Sequence, residues 1–214
     1  MISKRISELK SELPYGVKLV AVSKYRTVDE ILQAYDAGQR FFAESRPQEL
    51  AKKASSLPPD IEWHFIGHLQ TNKIKLILPY VSLIQSVDSL HLLEEIDALA
   101  GISGKRVDCL LEVHISKEAS KQGFLPEEIG GIIERRPKFP NVNLRGVMGM
   151  ATFTEDEDII INEFRLLKET AHSVSISGFD IISMGMSSDY RLALQEGTNL
   201  VRIGTSIFGE RKYE

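Results

Sequence analysis

The sequence predicts a closed (β/α)8 barrel formed by one domain that spans residues 1–214. Short apolar runs of strand length alternate with amphipathic stretches of helix length, and this alternation repeats about eight times. Eight β-α units need at least about 200 residues. A chain of 214 residues therefore holds one barrel and no second domain. The same alternation fits an open doubly wound sheet, but eight units favour closure.

The predicted strands are apolar runs bounded by turn or helix signals. Runs of this kind are typical of parallel strands that are buried on both faces. They cover Val17–Val22, Arg40–Ala43, Glu62–Ile66, Val81–Gln85, Val107–Ile115, Asn143–Val147, Phe179–Ser183 and Leu200–Ile203.

The predicted helices rest on apolar residues at helical spacing and on capping residues. Thr27 and Glu30 form a capping box, and Thr154 and Glu157 form another. Pro126 suits a first helical position. The remaining predicted helices are Met1–Leu13, Gln70–Leu78, a helix that carries Leu92 and Leu99, Ser188–Gln195 and Thr205–Phe208.

Composition excludes several classes of partner. The chain has 26 Lys and Arg against 30 Asp and Glu, and its pI is near 5.8. It lacks the concentrated positive charge of a nucleic-acid-binding protein. No apolar run approaches the ~20 residues of a membrane span, and Met1–Leu13 has no signal-peptide core. We therefore expect a cytoplasmic protein.

The chain has a single cysteine, Cys109, which excludes an internal disulfide and is expected in the core.

Lys24 is the first candidate for chemistry. It follows the first apolar strand, so its amine is expected at the carboxyl-terminal end of the barrel, where barrels carry their active sites. Partial loss of hydration there disfavours the ammonium form, and a neutral amine is what a Schiff base with an aldehyde requires. The alternative is a strand-end lysine whose amine reaches solvent.

Two glycine- and hydroxyl-rich segments predict a phosphate site. Ser183–Ser188 and Arg202–Ser206 each follow a late strand and lead into a helix. Barrels commonly bind phosphate between the loops after strands seven and eight, on helical N–H groups. The alternative is ordinary capping by Ser187 or Ser188, with Gly204 in a turn.

Other polar residues near strand ends are less specific. His64 and His68 could share a metal, but a spacing of four favours this only on a helix, and no third ligand is evident. Structural or supporting roles fit both histidines better. Glu44, Ser45 and Arg46 follow the second strand and could line the site, or Ser45 could cap a helix.

A lysine and a phosphate anchor together suggest a phosphorylated aldehyde. Six motifs follow one another along the chain: AVSK (Ala21–Lys24), WHFIGHLQTNK (Trp63–Lys73), SKQGF (Ser120–Phe124), RGVMGM (Arg145–Met150), SMGMSSD (Ser183–Asp189) and VRIGTSIFG (Val201–Gly209). In these motifs the chain resembles the pyridoxal phosphate homeostasis proteins, and the resemblance extends over nearly its whole length.

The resemblance implies a fold like the barrel domain of alanine racemase and a Schiff base between Lys24 and pyridoxal 5′-phosphate (PLP). It implies that Ser187, Gly204 and Thr205 hold the phosphate and that Arg202 contacts the pyridine nitrogen. An arginine leaves that nitrogen unprotonated, which weakens the cofactor as an electron sink. Further candidate cofactor-binding residues are Met184, Ser45 and His64.

The sequence departs from the family pattern at two places. The family often has Gly-Glu-Asn where this chain has Ala43-Glu44-Ser45, which puts an asparagine contact to the cofactor ring in doubt. It often has Gly-Pro-Leu-Gln where this chain has His68 after Gly67.

The resemblance implies a PLP-binding protein that takes part in the intracellular homeostasis of vitamin B6 and amino-acid pools. Candidate partners are PLP-dependent apoenzymes, and a monomer or weak homodimer is expected. The alternative is a PLP-dependent amino-acid racemase. Racemisation by two bases needs an acid/base group on each face of the substrate. Lys24 supplies one, and no second is evident among Tyr25, Tyr35, Tyr80, Tyr190 and Tyr213, so no catalytic residue is assigned.

Overall fold

The computed structural model describes residues 1–118 and 122–210. Eight parallel strands form a closed barrel, in which each strand pairs with the next and the last pairs with the first. The predicted barrel is confirmed, and the open sheet is wrong. The strands are β1 (Lys18–Val22), β2 (Phe41–Glu44), β3 (Glu62–Phe65), β4 (Val81–Val87), β5 (Val107–Val113), β6 (Val142–Gly149), β7 (Ile181–Ser183) and β8 (Leu200–Ile203).

Helices connect the strands and surround the barrel. None of those within the described ranges is both long and apolar enough to cross a membrane. The helices are α1 (Ile2–Glu12), α2 (Val28–Asp36), α3 (Pro47–Ala54), α4 (Ile74–Ile77), α5 (Leu90–Ile102), α6 (Ile129–Glu134), α7 (Glu157–His172), α8 (Tyr190–Gln195) and α9 (Thr205–Phe208).

The apolar core has two layers. One cluster takes its members from six different strands and none from a helix, so it fills the barrel interior. A larger cluster combines strand and helix residues and fills the space between the barrel and its helices. Burial on both faces explains why the strand sequences are continuously apolar. The interior residues are Val20, Ala43, Leu83, Leu110, Met148 and Leu200.

Two local helix predictions need correction. The capping box at Thr27 is present, with Glu30 as its partner. The box at Thr154 is not, because Asp156 is the N-cap of α7 and accepts the amides of residues 158 and 159 through its own carboxylate. Helix α3 was not predicted. Its sequence carries lysines at positions 52 and 53, and the second is buried, so the apolar stripe of an amphipathic helix is interrupted.

The loops after the carboxyl ends of the strands gather at one end of the barrel, which we call the barrel mouth. The loops after β2 and β3 touch there. A Cβ on Gly67 would lie 2.2 Å from the Ser45 carbonyl oxygen, so a glycine is required at this close approach. The SKQGF motif begins outside the described residues.

Candidate functional site

Lys24 lies two residues beyond β1, half-buried in the turn that leads to α2. Tyr25 follows with φ of 63°, a left-handed conformation that is costly for an aromatic residue. The Tyr25 amide donates to Glu49 Oε1 at 2.8 Å, and the guanidinium of Arg46 lies 4.6 Å from the Tyr25 ring centroid. The start of α3 therefore fixes the turn that carries Lys24.

Lys53 of α3 also contacts this turn, and the residue is 6% exposed. Its Nζ donates to the Ser23 carbonyl oxygen at 2.7 Å, to Glu44 Oε1 at 2.8 Å and to Glu49 Oε1 at 2.7 Å. The Ser23 hydroxyl donates to Glu44 Oε1 at 2.6 Å. We call Ser23, Glu44, Glu49 and Lys53 the Lys53 network. It joins the end of β1, the end of β2 and one face of α3.

Glu44 is the most deeply buried carboxylate of this network, with no exposed surface. Its Oε2 has no hydrogen-bond partner within residues 1–118 and 122–210. Burial raises the pKa of Glu44 above its ordinary value, and the charge of Lys53 opposes that rise. Lys53 therefore favours the charged form of Glu44 most strongly, and the hydrogen bond from Ser23 acts in the same direction.

Arg202 lies on β8 and is 3% exposed. It donates to the Ser183 hydroxyl oxygen at 2.5 Å and to the Gly149 carbonyl oxygen at 3.0 Å. Burial lowers the pKa of Arg202 to about 10, while the carboxylates of Asp189 and Glu112 act in the opposite direction. The guanidinium remains a cation at neutral pH, and both of these hydrogen bonds go to uncharged acceptors.

A chain of hydrogen bonds continues from Arg202 across the barrel interior. The Ser183 hydroxyl donates to Gln85 Oε1 at 2.7 Å, and Gln85 Nε2 donates to His64 Nδ1 at 2.8 Å. Burial lowers the pKa of His64 to about 3, so this imidazole is neutral. We call Arg202, Ser183, Gln85 and His64 the Arg202 network. It links β8, β7, β4 and β3 through three side-chain hydrogen bonds.

The predicted phosphate residues converge after β7 and β8. The Ser187 hydroxyl oxygen accepts the amides of Gly204, at 3.2 Å, and of Ser206, at 3.4 Å. Thr205 is the exposed first residue of α9. Neither Ser187 nor Ser188 is the N-cap of α8, which is Asp189, and the amides that Ser187 accepts lie at the start of α9.

Ser45 is half-buried, directly after β2 and against the loop of Gly67. It does not cap α3, because Arg46 is the N-cap residue and Pro47 occupies the first turn. Of the segment from Glu44 to Arg46, Glu44 belongs to the Lys53 network, whereas Ser45 remains at the mouth.

Three residues singled out in the sequence lie apart from this group. The side chain of Met184 packs in the outer core, between the barrel and the helices. Cys109 is buried in the same layer, and burial raises the pKa of its thiol. His68 pairs with Asp88 at 3.0 Å. In the described part of the chain, no cluster of three or more His, Cys, Asp or Glu could hold a metal ion.

Clefts are present at both ends of the barrel. One of about 230 Å³ lies at the mouth, beside Met150, Thr152 and Met186. A cleft of about 580 Å³ lies at the opposite end, beside Lys18 and Phe41. The larger cleft contacts no member of either network. In (β/α)8 barrels, residues at the amino-terminal ends of the strands contribute to stability, whereas active sites lie at the carboxyl-terminal ends. We therefore place the candidate site at the mouth.

Comparison with known proteins identifies the family. Residues 1–212 match the family model of the alanine racemase N-terminal domain. The pyridoxal phosphate homeostasis protein of Aquifex aeolicus is 38% identical over 200 residues, which cover 92% of this chain and 88% of that relative. The chain belongs to the pyridoxal phosphate homeostasis protein family.

Solved structures agree with this assignment. PipY of Synechococcus elongatus without PLP matches with a TM-score of 0.93 and 34% identity, over 98% of this chain and 100% of PipY. PipY with PLP bound matches with a TM-score of 0.88 over the same shares. Alanine racemase of Clostridium difficile matches with a TM-score of 0.79 but 16% identity, over 100% of this chain and 56% of that chain. The last match shows the fold alone.

Most of the residues that support this candidate site were not predicted from the sequence. Lys53, Glu49 and Gln85 were not predicted. Glu112 of β5 is also buried near the mouth, and burial together with the charge of Asp88 raises its pKa to about 7. For Gln85 and Glu112 the available signal was a polar residue within an apolar strand, whereas Lys53 and Glu49 lie on the unpredicted helix α3 and gave no such signal.

Proposed function

We propose that this protein binds pyridoxal 5′-phosphate through a Schiff base on Lys24 and takes part in the intracellular balance of PLP and amino-acid pools. The observation that carries the proposal is the combination at one barrel mouth of three groups. A lysine follows β1, a buried arginine lies on β8, and two amides converge after β8. The PLP-bound structure of PipY supports the same cofactor here.

The residues around Ser187 fit a phosphate group. Two backbone N–H groups already converge on one oxygen, that of the Ser187 hydroxyl. An anionic oxygen accepts such donors more strongly than a neutral one does. We propose that Ser187, Gly204 and Thr205 hold the phosphate, and that Ser45 lies against the ring.

Arg202 fits the pyridine nitrogen as a donor. Its pKa of about 10 keeps the guanidinium protonated at neutral pH. The group therefore donates a hydrogen bond and leaves the ring nitrogen without a proton. A ring in that state is a weak electron sink. This favours a protein that holds and delivers the cofactor, with PLP-dependent apoenzymes as recipients, over one that forms carbanions.

Lys24 supplies the covalent link. PLP brings an aldehyde to the site. The Lys24 amine, once it has lost its ammonium proton to solvent, condenses with that aldehyde and releases the carbonyl oxygen as water. The turn that carries Lys24 is held by hydrogen bonds and a ring contact, so the amine is presented from a fixed backbone.

Absorption spectroscopy during titration with PLP tests the proposal. We expect a Schiff-base band that the Lys24→Ala variant lacks and that the exposed-lysine control Lys52→Ala retains. Pyridoxal without its phosphate should bind at least about 100-fold more weakly, because at least two charge-assisted hydrogen bonds of about 1.5–3 kcal/mol each are lost. A persistent band in Lys24→Ala, or equal affinities for the two compounds, would contradict the proposed site.

A racemase assay tests the non-enzymatic part of the proposal. After incubation with PLP and L-alanine in deuterated water, chiral analysis should detect no rapid formation of D-alanine. Slow exchange at Cα without inversion is the expected outcome for a lysine that acts on one face. Rapid inversion that disappears in Lys24→Ala would show that the protein is a racemase and would contradict the proposal.

A further inference from the structure

We propose that Lys53 is a positioning residue for Lys24, which it serves by fixing the backbone on both sides of that lysine. The inference rests on the proposed function, since it assigns the Lys53 network to the presentation of the Lys24 amine. Lys53 belongs to the helix layer and touches the turn rather than the phosphate residues.

The contacts show how one cation reaches both neighbours of Lys24. Lys53 Nζ donates directly to the carbonyl oxygen of Ser23, the residue before Lys24. The residue after it, Tyr25, donates its amide to Glu49 Oε1, and that same oxygen accepts from Lys53 Nζ. The two peptide groups that flank Lys24 are therefore tied to a single ammonium group.

Tyr25 shows why the turn needs this restraint. Its φ of 63° lies in the left-handed region, which costs a non-glycine residue of this size free energy unless surrounding contacts impose it. Relaxation of Tyr25 to an extended or right-handed conformation would rotate the peptide that follows Lys24. The bond from the Tyr25 amide to Glu49 opposes that rotation.

Burial of the network indicates a role beyond packing. Lys53, at 6% exposure, and Glu44, with none, are removed from water beside the larger apolar cluster. Buried ion pairs contribute little net stability compared with apolar residues of similar size, and they are retained in some proteins because they specify one conformation. Here the conformation specified is that of the Lys24 turn.

The test compares reaction with Lys24 against binding that does not involve it. The variants are Lys53→Met and Glu49→Ala, and Lys52→Met is the matched control from the exposed face of the same helix. Two readouts are taken for each protein. One is the rate at which the Schiff-base band forms with PLP, and the other is the affinity for pyridoxine 5′-phosphate, whose alcohol cannot react with an amine.

For Lys53→Met we expect Schiff-base formation to slow by about tenfold, since a misplaced reacting group typically costs at least this much. The affinity for pyridoxine 5′-phosphate should change by less than about twofold. Glu49→Ala should show the same split with a smaller effect, and it decides the test if Lys53→Met does not fold. Lys52→Met should match the unmodified protein in both readouts.

Two other results overturn the inference. A rate of Schiff-base formation unchanged from the unmodified protein means that Lys53 does not position Lys24. A loss of equal size in both readouts means that the network supports the whole mouth and not this turn. A different failure, absence of the Schiff-base band in the unmodified protein, would contradict the proposed function itself.

Discussion

The two buried polar networks of this barrel differ in charge, in position and in the atoms that they restrain. The Lys53 network consists mainly of charged groups, lies between the barrel and α3, and restrains main-chain atoms on either side of Lys24. The Arg202 network has one charged group, crosses the barrel interior and restrains a side chain through the neutral residues Ser183, Gln85 and His64.

The contrast follows from what each network must hold. A turn with an unfavourable φ angle needs strong partners for its peptide groups, and an ammonium between carboxylates provides them. For the contact with the cofactor proposed above, Arg202 needs a fixed direction and an available charge, and its two neutral hydrogen-bond acceptors fit that role. A direct ion pair with a carboxylate would offset the charge of the guanidinium.

The largest expected effect is a loss of stability, and its size should differ between variants of the two networks. Lys53→Met leaves the Glu44 and Glu49 carboxylates without their cation, so we expect a loss of about 3–5 kcal/mol in the free energy of unfolding. Gln85→Met leaves only neutral groups unsatisfied and should cost about 1–3 kcal/mol. Urea denaturation measures both, with Lys52→Met expected within about 0.5 kcal/mol of the unmodified protein. Equal losses for Lys53→Met and Gln85→Met would remove the distinction.

Glu112 offers a smaller effect that depends on pH. Its pKa is raised from 4.5 to about 7, so the folded state holds a proton that the unfolded state has released between these values. Stability from this group is complete below pH 4.5 and is lost as pH rises through 7, by about 3 kcal/mol. Glu112→Gln should lack this fall. A pH series of urea denaturations that is parallel for the two proteins would contradict the assignment.

His64 gives the smallest effect, with the opposite sign. Its pKa is lowered from 6.5 to about 3, so the unfolded state binds a proton that the folded state does not. Stability from the neutral imidazole is present above pH 6.5 and should fall by about 2 kcal/mol as pH drops to 5. His64→Asn should lose less stability than the unmodified protein over this interval. An identical acid dependence would show that His64 titrates freely.

The pattern of apolar residues alone predicted the barrel and most of its strands and helices. The bounds of β8 and α9 agree with the prediction residue for residue, because Gly204 separates the two elements and Gly209 follows α9. Helix α3 was missed because Lys53 occupies a buried position on it. Its burial depends on carboxylates from β2 and from its own first turn, and such long-range pairing leaves no trace in local periodicity.

Site residues could be predicted from the sequence where the residue's own side chain is the group proposed to bind the cofactor. Lys24 and Ser187 were singled out by type and by position after a strand, the role of Arg202 on β8 came from the family resemblance, and the structure brings these strand ends to one mouth. Ser183 and Gln85 act on Arg202 from other strands, so their role required the closed barrel and its strand order. The role of Met184 in cofactor binding stays a prediction, and the structure shows only that its side chain faces the outer core.

Borohydride reduction tests the central claim most directly. The protein is loaded with PLP, reduced and digested, and the peptides are weighed by mass spectrometry. We expect the pyridoxyl mass on the peptide that contains Lys24, and on no peptide from a Lys24→Ala variant. Labelling of Lys73 or another lysine in place of Lys24 would contradict the account.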